Sequence, residues 1–560
     1  MEGKFNMAFS VEQISTQPID HLGIIAGICH RLGIGERIDA LLPSKDQRGK
    51  VSCGQAVTAM ILNGLGYVNR ALYLVADFFE NKPINRLLRA NIEAKDLNDD
   101  LLGRVLDQIA AYGSTNLFCE VAYQIGKDFS LLGNSIHLDS TSFSLEGDYY
   151  EDLYDGKEQL HIAYGHSKDH RPDLKQVILS LCTTGVSNFP LRMEALDGNK
   201  SDKKSFHETI KAMKEVQKKF NWPDKLLWVA DSALYDKKKL TNESGFDWIT
   251  RAPETICVVR DLINKEPENG WTDAEIFDGL KYWESTAEIS GSKQRFVVIE
   301  SEHHRCRKLK TFERSLSKQK ENLEKELKKI KGNLFACEID AKNAVKKHLE
   351  KYTLFKIKEL KLVEIRKHTN RGRPSKGVEP DLISYQVDAS IQENLEVIER
   401  KKVALGRFVL ATNVIDTNRF SGLELIKEYK SQQGIERGFR FLKDTRFLVS
   451  NVYLKTPSRI EALMMVMTLT LMVYNVGQHW LREGLRERGE TLPNQKTKEV
   501  SNPTLRWVFQ LMNGIHVARL TSDSGGTQEL VVNVSKMRAR IVAYFGRESC
   551  EIYGCYVKKE

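Results

Sequence analysis

The feature that most constrains this chain is the run of element types between Ser135 and Pro253. Three apolar segments there read as strands: SIHLDSTSFSL from Ser135, QVILSLCTT (Gln176 to Thr184) and KLLWVADSALY (Lys225 to Tyr235). FDWITRAP (Phe246 to Pro253) is a fourth, and KSFHETIKAMKEVQKKF (Lys204 to Phe220) has the spacing of an amphipathic helix. Strands joined by crossover helices bury both faces of a sheet, so this part of the chain must be an α/β domain with a partly parallel sheet.

The chain is too long for a single core: 560 residues predict two to four domains. Residues 1–130 read as an all-helical N-terminal domain, with Ile24, Ile25, Ile28 and Leu32, then Ala56, Met60, Leu62 and Leu65, at helical spacing. The α/β pattern of 131–253 is interrupted over 254–402 by an insertion containing the strands RFVVIES and ISYQVDAS. Between them a long charged helix, about Leu309 to Tyr352, repeats Leu309, Leu316, Leu323 and Ile330 at intervals of seven, with Leu327 and Leu334 alongside, which predicts a helical hairpin or short coiled coil. The core pattern resumes over 403–480 with RFVLATNV and a helix from about Ser421 to Leu442, and 481–560 reads as a C-terminal helical region.

A hydrophobic fraction of 41% excludes a wholly disordered chain. The most apolar run, Ala462 to Tyr474, is shorter than the roughly 20 residues a bilayer needs and reads as a buried core helix. MEGKFNMAFSVEQ lacks an apolar signal core, and nine cysteines without a CxxC pair read as reduced thiols, so a cytoplasmic protein with no membrane partner is expected. Lys and Arg number 84 against 75 Asp and Glu, a net +9 that points to an anionic partner without naming it.

Two carboxylates stand at polar ends of apolar strands, Asp139 in IHLDSTSF and Asp231 in LWVADSALY. Strand ends are where ligands bind in open α/β sheets. A capping or turn-forming Asp is the alternative for each alone. The helix EYKSQQGIERGFRFLKD adds Tyr429, Gln432, Glu436 and Lys443, which at about 100° per residue fall on one polar stripe. Ile435, Phe439 and Leu442 form an apolar stripe beside it, and Arg437 and Arg440 add positive charge.

The spacing Y-x2-Q-x3-E-x6-K resembles the Y-x2-R-x3-E-x6-K signature of the YREK group of bacterial insertion-sequence DDE transposases. DHLGIIAGI, HLDSTSF, GHSKDHRPDLKQ, LDGNKSD, ADSALY and IERGFRFLKD resemble segments of one branch of that group, in the same order along nearly the whole chain. Gln432 departs from the motif's Arg, which replaces a cationic phosphate contact with a neutral one. The resemblance implies an RNase H-like catalytic core with a largely β insertion containing the charged helix. It implies a catalytic, metal-holding triad of Asp139, Asp231 and Glu436 that takes two Mg²⁺ ions, with Mn²⁺ substituting. Tyr429, Gln432 and Lys443 would hold the DNA end, with Arg437 and Arg440 alongside. The activity implied is cleavage of double-stranded DNA at terminal inverted repeats and transfer of the 3′-OH ends into target DNA, by a homodimer in a synaptic complex with the N-terminal domain reading the repeats. The alternatives are an RNase H-like nuclease without strand transfer and a non-catalytic DNA-binding remnant of a transposase.

Arg371 and Arg373 in NRGRPSKG resemble an AT-hook, two arginines reaching into a narrow minor groove, with an exposed basic turn as the alternative. His161, His166 and His170 lack the tight architecture of a zinc site, and Lys168, His170 and Arg171 are expected at the edge of the active site, meeting DNA backbone. Trp271 and Trp283 read as core residues of the insertion.

Overall fold

A computed structural model describes residues 11–42, 50–66, 74–147, 160–220, 225–236, 245–367, 382–444, 454–522 and 527–555, together with Tyr149, Trp222 and Leu240. The chain divides into two compact units, one of residues 1–250 with 425–560 and one of residues 251–424.

In the first unit, β1 (Val11–Pro18) precedes helices α1 (Leu22–Leu32), α2 (Ile34–Leu41), α3 (Cys53–Leu65), α4 (Val75–Phe79), α5 (Ile84–Leu88), α6 (Asp99–Tyr112) and α7 (Ser114–Asp128). Their boundaries are set locally. Ser52 and Gln55 form a reciprocal capping box at the start of α3, and the Asn98 side chain accepts the Leu101 N–H at the start of α6. The sheet follows, with β2 (Ser135–Leu145), β3 (Lys175–Thr184), β4 (Pro190–Leu196), helix α8 (Asp202–Lys219), β5 (Leu227–Ala230) and β6 (Asp247–Arg251). The strand order is β4-β3-β2-β5-β6. β3 runs antiparallel to both β2 and β4, whereas β5 is parallel to β2 and to β6. This is the partly parallel α/β sheet the apolar runs require.

The second unit carries α9 (Cys257–Asn264), β7 (Thr272–Asp273), β8 (Leu280–Ile289), β9 (Ser292–Ser301), α10 (Glu302–Lys331), α11 (Glu338–Leu349), β10 (Phe355–Lys367), β11 (Leu382–Glu393), α12 (Leu395–Ala404) and β12 (Arg407–Thr412). β12, β9, β8 and β7 pair antiparallel in that order. The charged stretch expected as one helix from Leu309 to Tyr352 is two helices, broken after Lys331 where Gly332 caps α10. Leu323, Leu327 and Ile330 are buried against Ala341 and Val345 of α11 and Val387 of the β10–β11 ribbon, while Leu334 beyond the break is exposed. The heptad therefore packs from Leu316 onward, most tightly at Leu323 and Ile330, on a partner that includes a sheet. Trp271 is covered by the Arg407 guanidinium, 4.8 Å from its ring centroid.

The chain returns to the first unit through α13 (Gly422–Ser431), α14 (Gln433–Leu442) and α15 (Pro457–Glu487). β13 (Leu492–Pro493), β14 (Glu499–Val500), α16 (Leu505–Leu511), β15 (His516–Ser522), β16 (Thr527–Val532), α17 (Lys536–Ala543) and α18 (Arg547–Tyr553) complete it. Three expectations are corrected here. The apolar run at 462–474 is the middle of a 31-residue helix, long and apolar enough by length and composition to cross a membrane, yet 78% of its most apolar window is buried inside the protein. α15 packs against α3, α6, α7 and β4, so its apolar surface is already covered.

The N-terminal region is helical from Leu22 onward but is not all-helical, and the C-terminal region is not wholly helical either. β1 pairs antiparallel with β15, which pairs with β16. The Gly514 N–H donates to Asp20 at 2.7 Å, and α1 crosses α18 so closely that a Cβ on Gly27 would lie 2.1 Å from the Ser549 hydroxyl. Periodicity within 1–130 could not show this, because the partners, such as Asp20 and Gly514, lie 494 residues apart.

Candidate active site

β2 is buried along nearly its whole length, and Asp139 is one of its few half-exposed residues. The Asp139 carboxylate accepts the Ser140 N–H at 2.8 Å. On the neighbouring parallel strand the last paired residues are Leu138 and Ala230, so Asp139 and Asp231 are each the next residue along. Asp231 keeps an extended backbone (φ −70°, ψ −176°), which carries the strand direction through it. Neighbouring strands stand about 4.8 Å apart and pleat in phase, so the two carboxylates leave the same face at the same height. Asp231 also caps the short turn that ends the strand, accepting the Ala233 N–H at 2.9 Å, while its carbonyl accepts the Thr250 hydroxyl. The capping role offered by the sequence as an alternative thus coexists with a position beside Asp139.

α14 packs on β2, and its direction is fixed at both ends. At one end Ser431 Oγ lies 3.1 Å from His137 Nε2, and at the other Lys443 Nζ lies 5.5 Å from the Phe143 ring centroid. His137, Asp139 and Phe143 share one face of the strand because side chains alternate. The chain from Ser431 through α14 to Lys443 and the strand from His137 to Phe143 therefore run side by side in the same sense, which puts Glu436 on the helix packed against the strand that carries Asp139. Ile435, Phe439 and Leu442 are buried, as the apolar stripe predicts, and Glu436 is exposed with no hydrogen-bond or ion partner among the described residues.

The polar stripe itself is interrupted. The expected continuous helix from Ser421 to Leu442 breaks at Gln432, where tighter three-residue bonds take over: Gln432 N–H to the Tyr429 carbonyl at 3.2 Å and Ile435 N–H to the Gln432 carbonyl at 3.0 Å. Gln432 is buried at this junction, 7% exposed, and Tyr429 is half-buried. Lys443 is half-buried too and donates to both carboxylate oxygens of Asp169, at 2.6 and 2.9 Å; burial lowers its pKa and the Asp169 pairing opposes that. Arg437 and Arg440 are exposed. Arg371 and Arg373 lie outside the described residues.

Carboxylate oxygens are the hard donors that Mg²⁺ takes, and two of them stand on adjacent strands, with a third acid on the helix packed against β2. Among the described residues, however, no three His, Cys, Asp or Glu side chains are gathered closely enough to hold a metal ion, and this includes His161, His166 and His170. The donor set fits a divalent ion in kind, with the pair on the sheet as its assembled part.

The loop before β3 reaches the site through Lys168, as its sequence suggests, and through Asp169, which the sequence does not suggest. Lys168 Nζ donates to the Ser140 carbonyl at 2.6 Å and to its hydroxyl at 3.2 Å, immediately beside Asp139, and Asp169 holds Lys443. With His166, Asn199, Lys200 and Ala233, Lys168 lines a cleft of about 450 Å³. The motifs GHSKDHRPDLKQ and LDGNKSD were the available signal.

Beneath the site, His137 is fully buried and lies 3.6 Å from Glu428. Burial raises the Glu428 pKa, but the proximity of His137 and Ser135 outweighs it and holds the carboxyl below its ordinary value. A lowered carboxylate pKa contributes stability that is complete above the ordinary carboxylate range and is lost as pH falls through the lowered value. Glu428→Gln is therefore expected to destabilise the protein by about 1.5–3 kcal/mol at neutral pH, with the gap to wild type closing in acid. Urea titrations at several pH values check this, and a gap that persists unchanged in acid would refute the ion pair.

Asp139 thus stands inside β2, which continues to Leu145, and not at a strand's polar end as its sequence suggests; Asp231 directly follows the end of β5, and the third acid is on the helix packed against β2. The family model of the transposase DDE domain matches residues 135–475, more than half of the chain. The chain belongs to that family and is a DDE transposase. A domain of unknown function (DUF4277) matches residues 14–123. No curated protein matches the chain. Among solved structures, a piggyBac transposase synaptic complex with hairpin DNA aligns at 7% identity and a TM-score of 0.34, covering 89% of this chain and 82% of that one.

Proposed function

We propose that this transposase cuts double-stranded DNA at the ends of its insertion sequence and joins the freed 3′ ends to target DNA, with Asp139, Asp231 and Glu436 as its catalytic carboxylates. The reading is carried by one observation: Asp139 and Asp231 are the next residues after a paired position on adjacent parallel strands, and α14, which carries Glu436, packs along β2. The strand order β4-β3-β2-β5-β6, with β2 central and β5 and β6 parallel to it, supports an RNase H-like core.

In the first step a water oxygen attacks the scissile phosphorus and the bond to the 3′ oxygen breaks, leaving a 3′-hydroxyl and a 5′-phosphate. In the second, that hydroxyl attacks a phosphorus of target DNA, and one P–O bond forms as one breaks. Bound Mg²⁺, or Mn²⁺ in its place, would neutralise charge at the attacking and leaving oxygens. Asp139 and Asp231 would hold it, and Glu436 would complete the set from the helix. Lys168, anchored beside Asp139, would lie against the phosphate. Lys443, with Tyr429 and Gln432, would steady the DNA end, Lys443 doing so only by sharing its charge with Asp169. A homodimer pairs two DNA ends.

An assay with the element's end duplex and a supercoiled plasmid tests the reading. Joined products are expected with Mg²⁺ or Mn²⁺, and complete loss with EDTA. Cleavage without joining would establish the nuclease alternative, and binding with neither reaction the remnant.

A further inference from the structure

A second feature lies on the flank of α14, beside Glu436. A hollow of about 370 Å³ opens between α14, α15 and the segment leading into α16, and four arginines line it: Arg437, Arg440, Arg482 and Arg506. Among the described residues, its one lining carboxylate, Asp444, is 3.3 Å from Arg506, which leaves an excess of three positive charges among the described lining residues. Arg437 and Arg440 have no hydrogen-bond or ion partner among the described residues. Arg482 is fixed in place, donating to the Pro503 carbonyl at 3.1 Å and the Asn502 carbonyl at 3.4 Å. Arg437 is close enough to Arg482 to add to the lowering of its pKa that burial causes.

Like charges brought together on rigid elements, with fewer carboxylates than cations to offset them, cost free energy that an anion would return. A guanidinium offers planar, paired donors that match phosphate oxygens. Arg437 follows Glu436 directly in the chain, so the hollow borders the stretch of helix that carries the third acid.

We propose that this hollow seats a single phosphate of the DNA backbone next to the cleavage site, gripped jointly by Arg437 and Arg482, with Arg440 and Arg506 completing the wall. This rests on the DNA-cleaving reading and adds to it a specific anchoring point, in which residues of α15 and of the first turn of α16 position DNA against α14.

Salt dependence of binding by the full-length protein to a fluorescent end duplex provides the test. Each phosphate contact contributes about 0.9 to the slope of log K against log salt. Arg437→Gln is the first variant, because that exposed side chain has no partner to leave behind; Arg482→Gln and the double variant follow, with melting curves confirming that each is folded. For a shared seat, either single change lowers the slope by about one, and the double change lowers it by no more than either alone. Slopes that fall additively would overturn the single seat, and unchanged slopes with unchanged affinity would overturn the site altogether. If inorganic phosphate alone raises the melting temperature of wild type but not of Arg437→Gln, while the DNA slopes stay equal, the hollow takes a free anion and the DNA assignment fails. Wild type that binds no end duplex at all would overturn the transposition reading together with this one, whereas normal wild-type cleavage with unchanged variants removes only the seat.

Discussion

Asp139→Asn, Asp231→Asn and Glu436→Gln are each expected to lower DNA cleavage about a thousandfold or more while leaving folding and end binding within a few-fold of wild type. The size follows from the chemistry. Each substitution removes a charged oxygen donor that would hold a divalent ion at a phosphorus gaining negative charge, and acids acting as one unit fail together. The selectivity follows from the structure. Glu436 is exposed with no partner among the described residues, so an amide of the same shape breaks nothing there. Asp231 caps its turn by accepting the Ala233 N–H, and Asp139 accepts the Ser140 N–H; an asparagine oxygen can do both. Gel-based cleavage assays with matched melting curves decide it. Near-normal cleavage in any of the three would remove that residue from the proposed triad.

Gly198→Ala is expected to have the next largest effect, although Gly198 bears no functional group. A Cβ there would lie 2.1 Å from the Gln176 carbonyl oxygen and 2.5 Å from that of Ala163, both backbone atoms that cannot swing aside. Overpacking of this kind costs about 1–3 kcal/mol. The strain falls on a particular place: the Gln176 side chain donates to the Gly198 carbonyl at 2.7 Å, and the Gly198 N–H donates to the His161 carbonyl at 3.0 Å. Those contacts brace the loop whose Lys168 reaches Ser140 and whose Asp169 reaches Lys443. Cleavage should therefore drop by more than tenfold even where the variant remains folded. Wild-type melting together with wild-type cleavage would show that the loop is not braced in this way.

The strands that carry the site were legible because they are buried on both faces and apolar almost throughout. β2, β3 and β6 fall within about two residues of the segments SIHLDSTSFSL, QVILSLCTT and FDWITRAP. β10 was not legible: FKIKELKLVEIRK keeps most of its side chains in solvent, and its charged residues resemble those of the neighbouring helices. β4 begins at a proline and carries Arg192 and Glu194, which pair with each other at 3.0 Å and hide its apolar character. The helix break at Gln432 had no signature either, since an amide is tolerated in a helix interior and the break reflects local backbone bonding.

The amino-acid sequence by itself determined which side chains this protein has available for chemistry and on which elements they ride. An aspartate that follows an apolar strand and a glutamate next to buried Ile435 and about one turn before Phe439 follow from local pattern alone. Tertiary structure decided what those residues meet. Register between β2 and β5 sets Asp139 beside Asp231, the anchors at His137 and Phe143 lay the helix of Glu436 along β2, and Asp169 captures Lys443. It also joined β1 to β15 and gathered arginines from three segments around one hollow. The reason is physical: periodicity reports which face of an element is buried, whereas register and pairing depend on contacts between segments hundreds of residues apart, which no local pattern encodes.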